Sequence, residues 1–140
     1  MSADIFLDTN ILVYAFDRGD QVKHEQAAVF MKKFWTDRWP VAVSIQVLQE
    51  FYMTMLRKGG DPKYFREVVE SFMRWAVVEN TCSLLRNAFE VQIVYGTSFY
   101  DANIVAAAQQ SGAKELWTED LNDGQYYGDV RAVNPFKENK

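Results

Sequence analysis

Four short apolar runs, each beside a stretch of helical periodicity, constrain this chain more than any other feature. They are Ile5-Phe6-Leu7, Val41-Ala42-Val43, Ala76-Val77-Val78 and Glu115-Leu116-Trp117-Thr118. Runs this short, without polar alternation, suit strands buried on both faces, and helices between them imply a parallel sheet with right-handed crossovers. The expectation is an α/β fold with a short-stranded, mostly parallel sheet flanked by helices, the first run central and Val130-Arg131-Ala132-Val133 an added edge strand. With 140 residues, 49% of them hydrophobic, the chain has the size of one domain around one core. No internal repeat, low-complexity tract or linker divides residues 1–140.

Polar caps mark where the helices start. Asp8-Thr9-Asn10 opens a short helix through Ile11, Leu12 and Tyr14, with Asp8 or Thr9 as its cap. After the loop Asp17-Arg18-Gly19-Asp20, an amphipathic helix from Gln21 to Trp35 carries Ala27, Ala28, Met31, Phe34 and Trp35 at core spacing. Ser44 caps a helix to Lys58, striped by Leu48, Phe51, Tyr52, Met55 and Leu56 and ended by Gly59-Gly60. Asp61-Pro62 predicts a helix to about Trp75, Thr81 one toward Tyr95, and Ser98 one stopped by Gly112. Asn134-Pro135-Phe136 leads into a charged tail.

Composition narrows the chemistry. One cysteine, Cys82, forbids an internal disulfide, Met1-Ser2-Ala3-Asp4 carries no basic leader, and no apolar run nears the roughly 18 residues of a membrane span. A cytoplasmic protein without membrane association is expected. A net charge of -4 gives no basic field to draw in nucleic acid, so such a partner needs local cations or a bound metal. The sole histidine, His24, rules out paired-histidine acid–base catalysis and a multi-histidine zinc site, and is read as a surface residue.

The carboxylates are placed unusually. In Ser98-Phe99-Tyr100-Asp101-Ala102-Asn103-Ile104-Val105-Ala106-Ala107-Ala108, a helical wheel puts Asp101 with Ile104, Val105 and Ala108, while Phe99, Asn103 and Ala106 point away. Two readings stand: Asp101 closes a capping box with Ser98, or it joins other carboxylates in a site. Asp8 ends the first strand, where ligands of open α/β sheets gather, yet it also reads as an ordinary cap. Glu50 falls about 200° from Leu48 on the wheel, which favours a solvated glutamate. Asp120 follows the fourth strand in the turn-rich Glu119-Asp120-Leu121-Asn122-Asp123-Gly124. A parallel sheet would bring all four acids toward one edge. Two carboxylates about 4 Å apart repel by roughly 4 kcal/mol at an effective dielectric near 20, so a cluster calls for a cation. Oxygen ligands without His or Cys select Mg²⁺ or Mn²⁺, which activates water against a phosphodiester and stabilises the departing oxygen.

Taken in order, Asp8-Thr9-Asn10, Glu50, Ser98-Phe99-Tyr100-Asp101-Ala102, Thr118-Glu119-Asp120-Leu121-Asn122-Asp123-Gly124-Gln125 and Asn134-Pro135-Phe136 resemble the PIN-domain family. Within it, they are most similar to the VapC toxins of bacterial type II toxin–antitoxin pairs, across essentially the whole chain. The resemblance implies a PIN-like three-layer fold and an endoribonuclease whose Asp8, Glu50, Asp101 and Asp120 are catalytic and hold Mg²⁺ or Mn²⁺. Asp123 shares or replaces the role of Asp120, and Thr9, Asn10 and Ser98 are supporting polar residues that orient a carboxylate or water. Tyr100 stands where the family usually has tryptophan or a similar aromatic. The implied partners are substrate RNA, a small VapB-like antitoxin that sets an arginine against the acids, and a second copy of the chain joined through helices.

Lys32, Lys33, Arg38, Arg57, Lys58, Lys63 and Arg66, interleaved with Trp35, Trp39, Tyr64 and Phe65, are either solvated helix faces or an RNA-binding rim. Arg57, Lys58, Lys33 and Arg38 are the candidates for such a rim. Three other functions compete with this one. A phosphatase with a nucleophilic aspartate is disfavoured because Asn10 stands where a second carboxylate is needed. A catalytically silent module that binds RNA or a partner sits poorly with a retained acid cluster, and an RNA-maturation nuclease with the lack of an appended RNA-binding segment.

Overall fold

A computed structural model describes residues 3–137; Met1, Ser2 and the charged tail from Glu138 lie outside them. β1 (Ile5–Leu7) is wholly buried and stops at Asp8, whose carboxylate caps α1 (Thr9–Phe16). The chain continues through α2 (Gln21–Thr36), β2 (Val41–Ser44), α3 (Ile45–Arg57), α4 (Pro62–Phe72), β3 (Ala76–Val78), α5 (Cys82–Tyr95), α6 (Phe99–Ser111), β4 (Glu115–Trp117), β5 (Tyr126–Tyr127) and β6 (Val130–Val133). All six helices open on a side-chain cap, from Asp8, Asp20, Ser44, Asp61, Thr81 and Ser98. Each cap satisfies an amide that the first helical turn leaves free.

The sheet order is β3-β2-β1-β4-β6-β5, parallel except for the β5–β6 pair. From β1 the chain steps outward to β2 and β3, and α5 and α6 then carry it back to β4 on the other side of β1. With crossovers of one hand, that reversal puts α1–α4 on one face of the sheet and α5–α6 on the other, giving three layers. The reversal point lies between β1 and β4. Asp8 follows the first of these strands and Asp120 the second.

The core is continuous from Phe6 and Leu7 through Ile11, Leu12, Phe34, Phe51 and Phe72 to Ile104 and Leu116. In α6 the run Ala102, Ile104, Val105, Ala106, Ala107 and Ala108 is buried all round. The wheel expectation that Ala106 faces away from the core is therefore corrected: α6 packs on α5 as well as on β2, β3, β4 and β6. Small side chains permit that two-sided approach.

Four other expectations change. Val130–Val133 is an inner strand, because the two-residue β5 pairs outside it through a turn at Gly128, which takes φ 65°. α4 ends at Phe72, where Arg74 and Trp75 close tight i+3 turns onto Ser71 and Phe72 and release the chain into β3. On α2, Ala28 and Trp35 are exposed, since Ala27 and Phe34 already fill the space against the sheet. His24 is half-buried, with Nδ1 donating to the Tyr14 carbonyl at 2.9 Å, and ties α2 to α1. Among the described residues no helix is long and apolar enough to cross a membrane.

Candidate active site

Asp8 is the most constrained side chain of the cleft. Its backbone N–H bonds to the Trp117 carbonyl at 3.0 Å, which locks the end of β1 to β4. One carboxylate oxygen accepts from the Thr9 N–H at 2.7 Å and the other from the Thr118 hydroxyl at 2.9 Å. The residue is 3% exposed, and among the described residues no cation pairs with it. Burial pushes its carboxyl up to about 6; the two hydrogen bonds oppose that rise, while the charges of Asp120 and Asp101 add to it.

Thr118 also accepts from the Asp120 N–H at 3.0 Å, so one buried hydroxyl couples the two acid-bearing strand ends. Asp120 sits at the open side of the cleft and accepts from Asn10 Nδ2 at 3.1 Å. Desolvation by the cleft wall holds its carboxyl above the usual range; Asn10 opposes this, and the charges of Glu119 and Asp101 reinforce it. Glu50 projects from α3 into the same cleft, half-buried rather than fully solvated as its wheel position suggested. The cleft encloses about 490 Å³, and Tyr100 forms part of its wall. The Tyr100 phenol is pushed up by burial and by the charges of Asp8, Glu50 and Asp120. The Thr9 hydroxyl lies beside it without hydrogen-bond geometry and opposes the shift.

Asp101 stands in the first turn of α6, half-buried. Its backbone N–H donates to Ser98 Oγ at 3.0 Å, but among the described residues its carboxylate accepts no hydrogen bond. Only half of a capping box forms, which leaves the carboxylate free while its charge reaches Asp8 and Asp120. Ser98 is thus a helix cap, not a direct support for the acids. Asp123 is engaged elsewhere, accepting from the Asn134 N–H at 2.8 Å and lying 3.8 Å from Lys137 Nζ. Neither Asp123 nor Asp101 is among the residues lining the cleft; the charge of Asp101 reaches Asp8 and Asp120, whereas Asp123 is tied to Asn134 and Lys137.

The residues present fit a hard divalent cation. The donors are all oxygen, and Thr9 Oγ1 and Asn10 Oδ1 are buried beside the acids without a partner. Among the described residues no three acidic, His or Cys side chains stand close enough to enclose an ion.

Sequence reasoning missed a clamp behind Asp120. Glu119 accepts from the Tyr14 hydroxyl and from Lys23 Nζ, the latter at 2.7 Å, and Lys23 also lies 5.9 Å from the centre of the Phe136 ring. Helices α1 and α2 and the chain after β6 thereby hold the loop that bears Asp120. An acidic residue beside another acid, with a tyrosine and a lysine about one helix apart, was the available signal. Of the expected RNA contacts, Lys58 lines the cleft, whereas Arg57 bonds Thr54 Oγ1 at 3.2 Å on the surface. Lys33 lies over the Trp39 ring at 5.5 Å, and Arg38 takes φ 54° in the turn between α2 and β2, at the opposite end of the strands. The four do not form one rim.

The PIN domain family matches residues 5–125 of the chain. Comparison with curated protein sequences gives no match. Among solved structures, the chain is similar to VapC20 of Mycobacterium tuberculosis, a sarcin-ricin loop cleaving toxin, at 24% identity over 91% of this chain and 99% of that one, with a TM-score of 0.65. It is also similar to a toxin–antitoxin complex from Klebsiella pneumoniae at 20% identity, over 95% of this chain and 98% of that one, with a TM-score of 0.66. A third likeness is VapBC2 from Rickettsia felis bound to a DNA fragment from their promoter, at 18% identity over 83% and 87% of the two chains, TM-score 0.58. At these identities the structural likenesses carry the fold alone.

Proposed function

The chain belongs to the PIN domain family, and from that premise we propose that it is a metal-dependent endoribonuclease, the toxin of a type II toxin–antitoxin pair. The observation that carries the reading is Asp8: a buried carboxylate without a cationic partner, at the strand-order reversal, facing Asp120 and Glu50 across one cleft. Burying such a charge is costly unless something positive joins it. Bound there, Mg²⁺ or Mn²⁺ supplies Lewis-acid activation of water and charge stabilisation for phosphodiester hydrolysis.

The chain's own groups divide the remaining work. Asp8 and Asp120, each oriented by hydrogen bonds from Thr118, Thr9 or Asn10, are the fixed oxygen ligands. One of the two remaining acids would receive the proton of the attacking water: Glu50, which lines the cleft, or Asp101, which accepts no competing hydrogen bond among the described residues. Tyr100, held neutral well past physiological pH, keeps a hydroxyl donor on the cleft wall for a substrate oxygen.

The likeness to a toxin–antitoxin complex and to VapBC2 supports a VapB-like antitoxin as partner. A homodimer is favoured by Leu85, Phe89 and Ile93, which repeat every four residues along α5 and are all exposed. The test is cleavage of a mixed RNA pool in Mg²⁺, Mn²⁺ or EDTA, beside Asp8→Asn and Asp101→Asn. Cleavage that needs the metal and is lost in both variants supports the reading; equal cleavage by all three proteins overturns it.

A further inference from the structure

The cleft holds one cation, paired with an acid at its mouth and not with those around Asp8. Of the six charged residues lining it, Asp8, Asp17, Asp20, Glu50 and Asp120 are acidic and only Lys58 is basic. Lys58 Nζ lies 2.9 Å from Asp17 Oδ2, so the pair joins the end of α1 to the end of α3 across the mouth. Asp17 has a second tie, the Gly19 N–H at 3.0 Å from its Oδ1, which keeps its carboxylate in place when Lys58 is elsewhere. Lys58 has no other side-chain partner among the described residues, and its side chain is 45% exposed.

A single strand of RNA entering this cleft meets five carboxylates. A divalent ion offsets those around Asp8, but Asp17 and Asp20 remain, and the one local cation is already paired. Exposed ion pairs are weak, and a phosphate oxygen offers an ammonium group the same kind of charged acceptor as a carboxylate oxygen. We propose that Lys58 is the phosphate-binding residue of this cleft and that Asp17 holds it as an internal stand-in for RNA phosphate, so that an incoming strand exchanges one partner for the other. Asp17 then acts chiefly through Lys58, as a competitor that sets how strongly RNA must bind to enter. The inference rests on the ribonuclease reading above and adds the residue that grips the substrate and the one that restrains it.

The experiment measures binding of a fluorescent single-stranded RNA by anisotropy over a salt series in Mn²⁺, with Asp101→Asn as the common non-cleaving background. Lys58→Ala is expected to weaken binding about tenfold and to reduce the slope of log affinity against log salt by about 0.7, the share of one phosphate contact on a single strand. Lys58→Arg restores both. Asp17→Asn tightens binding several-fold when Lys58 is present and by less than twofold when it is alanine, where only the removal of one repelling charge is left. Mn²⁺ affinity, read by calorimetry, stays within twofold throughout. An unchanged salt slope in Lys58→Ala overturns the inference. So does an Asp17→Asn gain as large without Lys58 as with it, which would make Asp17 a general repulsive charge. Either result leaves the ribonuclease reading standing. Absence of RNA binding by the background protein itself would overturn that reading instead.

Discussion

Replacing Asp8 by Asn should stabilise the metal-free protein while abolishing its function. The carboxyl rises from 3.8 in an unfolded reference to about 6 in the fold, chiefly through burial. Two pKa units at about 1.4 kcal/mol each put the cost of the charged form near 3 kcal/mol. The sign follows from proton counts. Between the two pKa values the folded state binds more protons than the unfolded one, so stability falls as pH rises across that window and is flat above it. Asn removes this charge and still accepts from the Thr9 N–H, but its amide meets the Thr118 hydroxyl with the wrong polarity, at about 1 kcal/mol. The net expectation in EDTA at pH 8 is a gain of about 2 kcal/mol, read by urea unfolding at fixed m-value. At pH 4 the charge relief is gone and the variant should be about 1 kcal/mol less stable than the parent. Saturating Mn²⁺ at pH 8 should reverse the order again, since only the parent gains the roughly 2.7 kcal/mol of a ligand at 100 times its Kd. A variant destabilised equally at both pH values would refute the reasoning, because Asp8 would then serve the fold as an ordinary cap.

Three further outcomes follow from the same geometry. Thr118→Val leaves an Asp8 oxygen and the Asp120 amide without their shared partner; urea unfolding should register a loss of about 1–3 kcal/mol and calorimetry a 10- to 100-fold drop in Mn²⁺ affinity. Lys23→Met loosens the Glu119 clamp, so Mn²⁺ affinity should fall about tenfold while stability changes by about 1 kcal/mol at most, the pair being partly solvated. Asp123→Asn retains an acceptor for the Asn134 N–H and should cleave RNA at the parental rate; a loss comparable to that of an Asp120 substitution would restore it to the metal site.

The parts of this fold legible in the sequence were those fixed by neighbours in the chain. Caps are such parts: Asp8, Ser44, Asp61, Thr81 and Ser98 open their helices as read, because a side-chain oxygen and an amide one or three residues away decide the matter locally. The central strand Ile5–Leu7 was readable because a run without alternation has two buried faces. What failed was whatever depends on distant partners. The inner position of β6 depends on a two-residue strand that no pattern announces. The two-sided burial of Ala106 depends on α5 and the sheet meeting α6 from opposite sides, which a single wheel cannot express. Glu50, Asp8 and Asp120 come to one cleft as expected from their places after or beside strands. Thr118 escaped notice because a threonine closing a strand carries no charge to attract attention, and the contacts of Asp123 with Asn134 and Lys137 depend on a chain segment that its own loop does not announce.

The hydrogen bonds that assemble the cleft, Thr118 to Asp8 and Asn10 to Asp120, each span 110 residues. Domains made on a ribosome acquire structure from the N-terminal end forward, and contacts between distant segments wait for both to exist. Asp8 therefore emerges early into a chain that has no β4 for it to lock against and no Thr118 to orient it. On the ribonuclease reading proposed above, this order of synthesis keeps the acids apart, beside the RNA of the machine that makes the chain, until β4 and the Asp120 loop have followed.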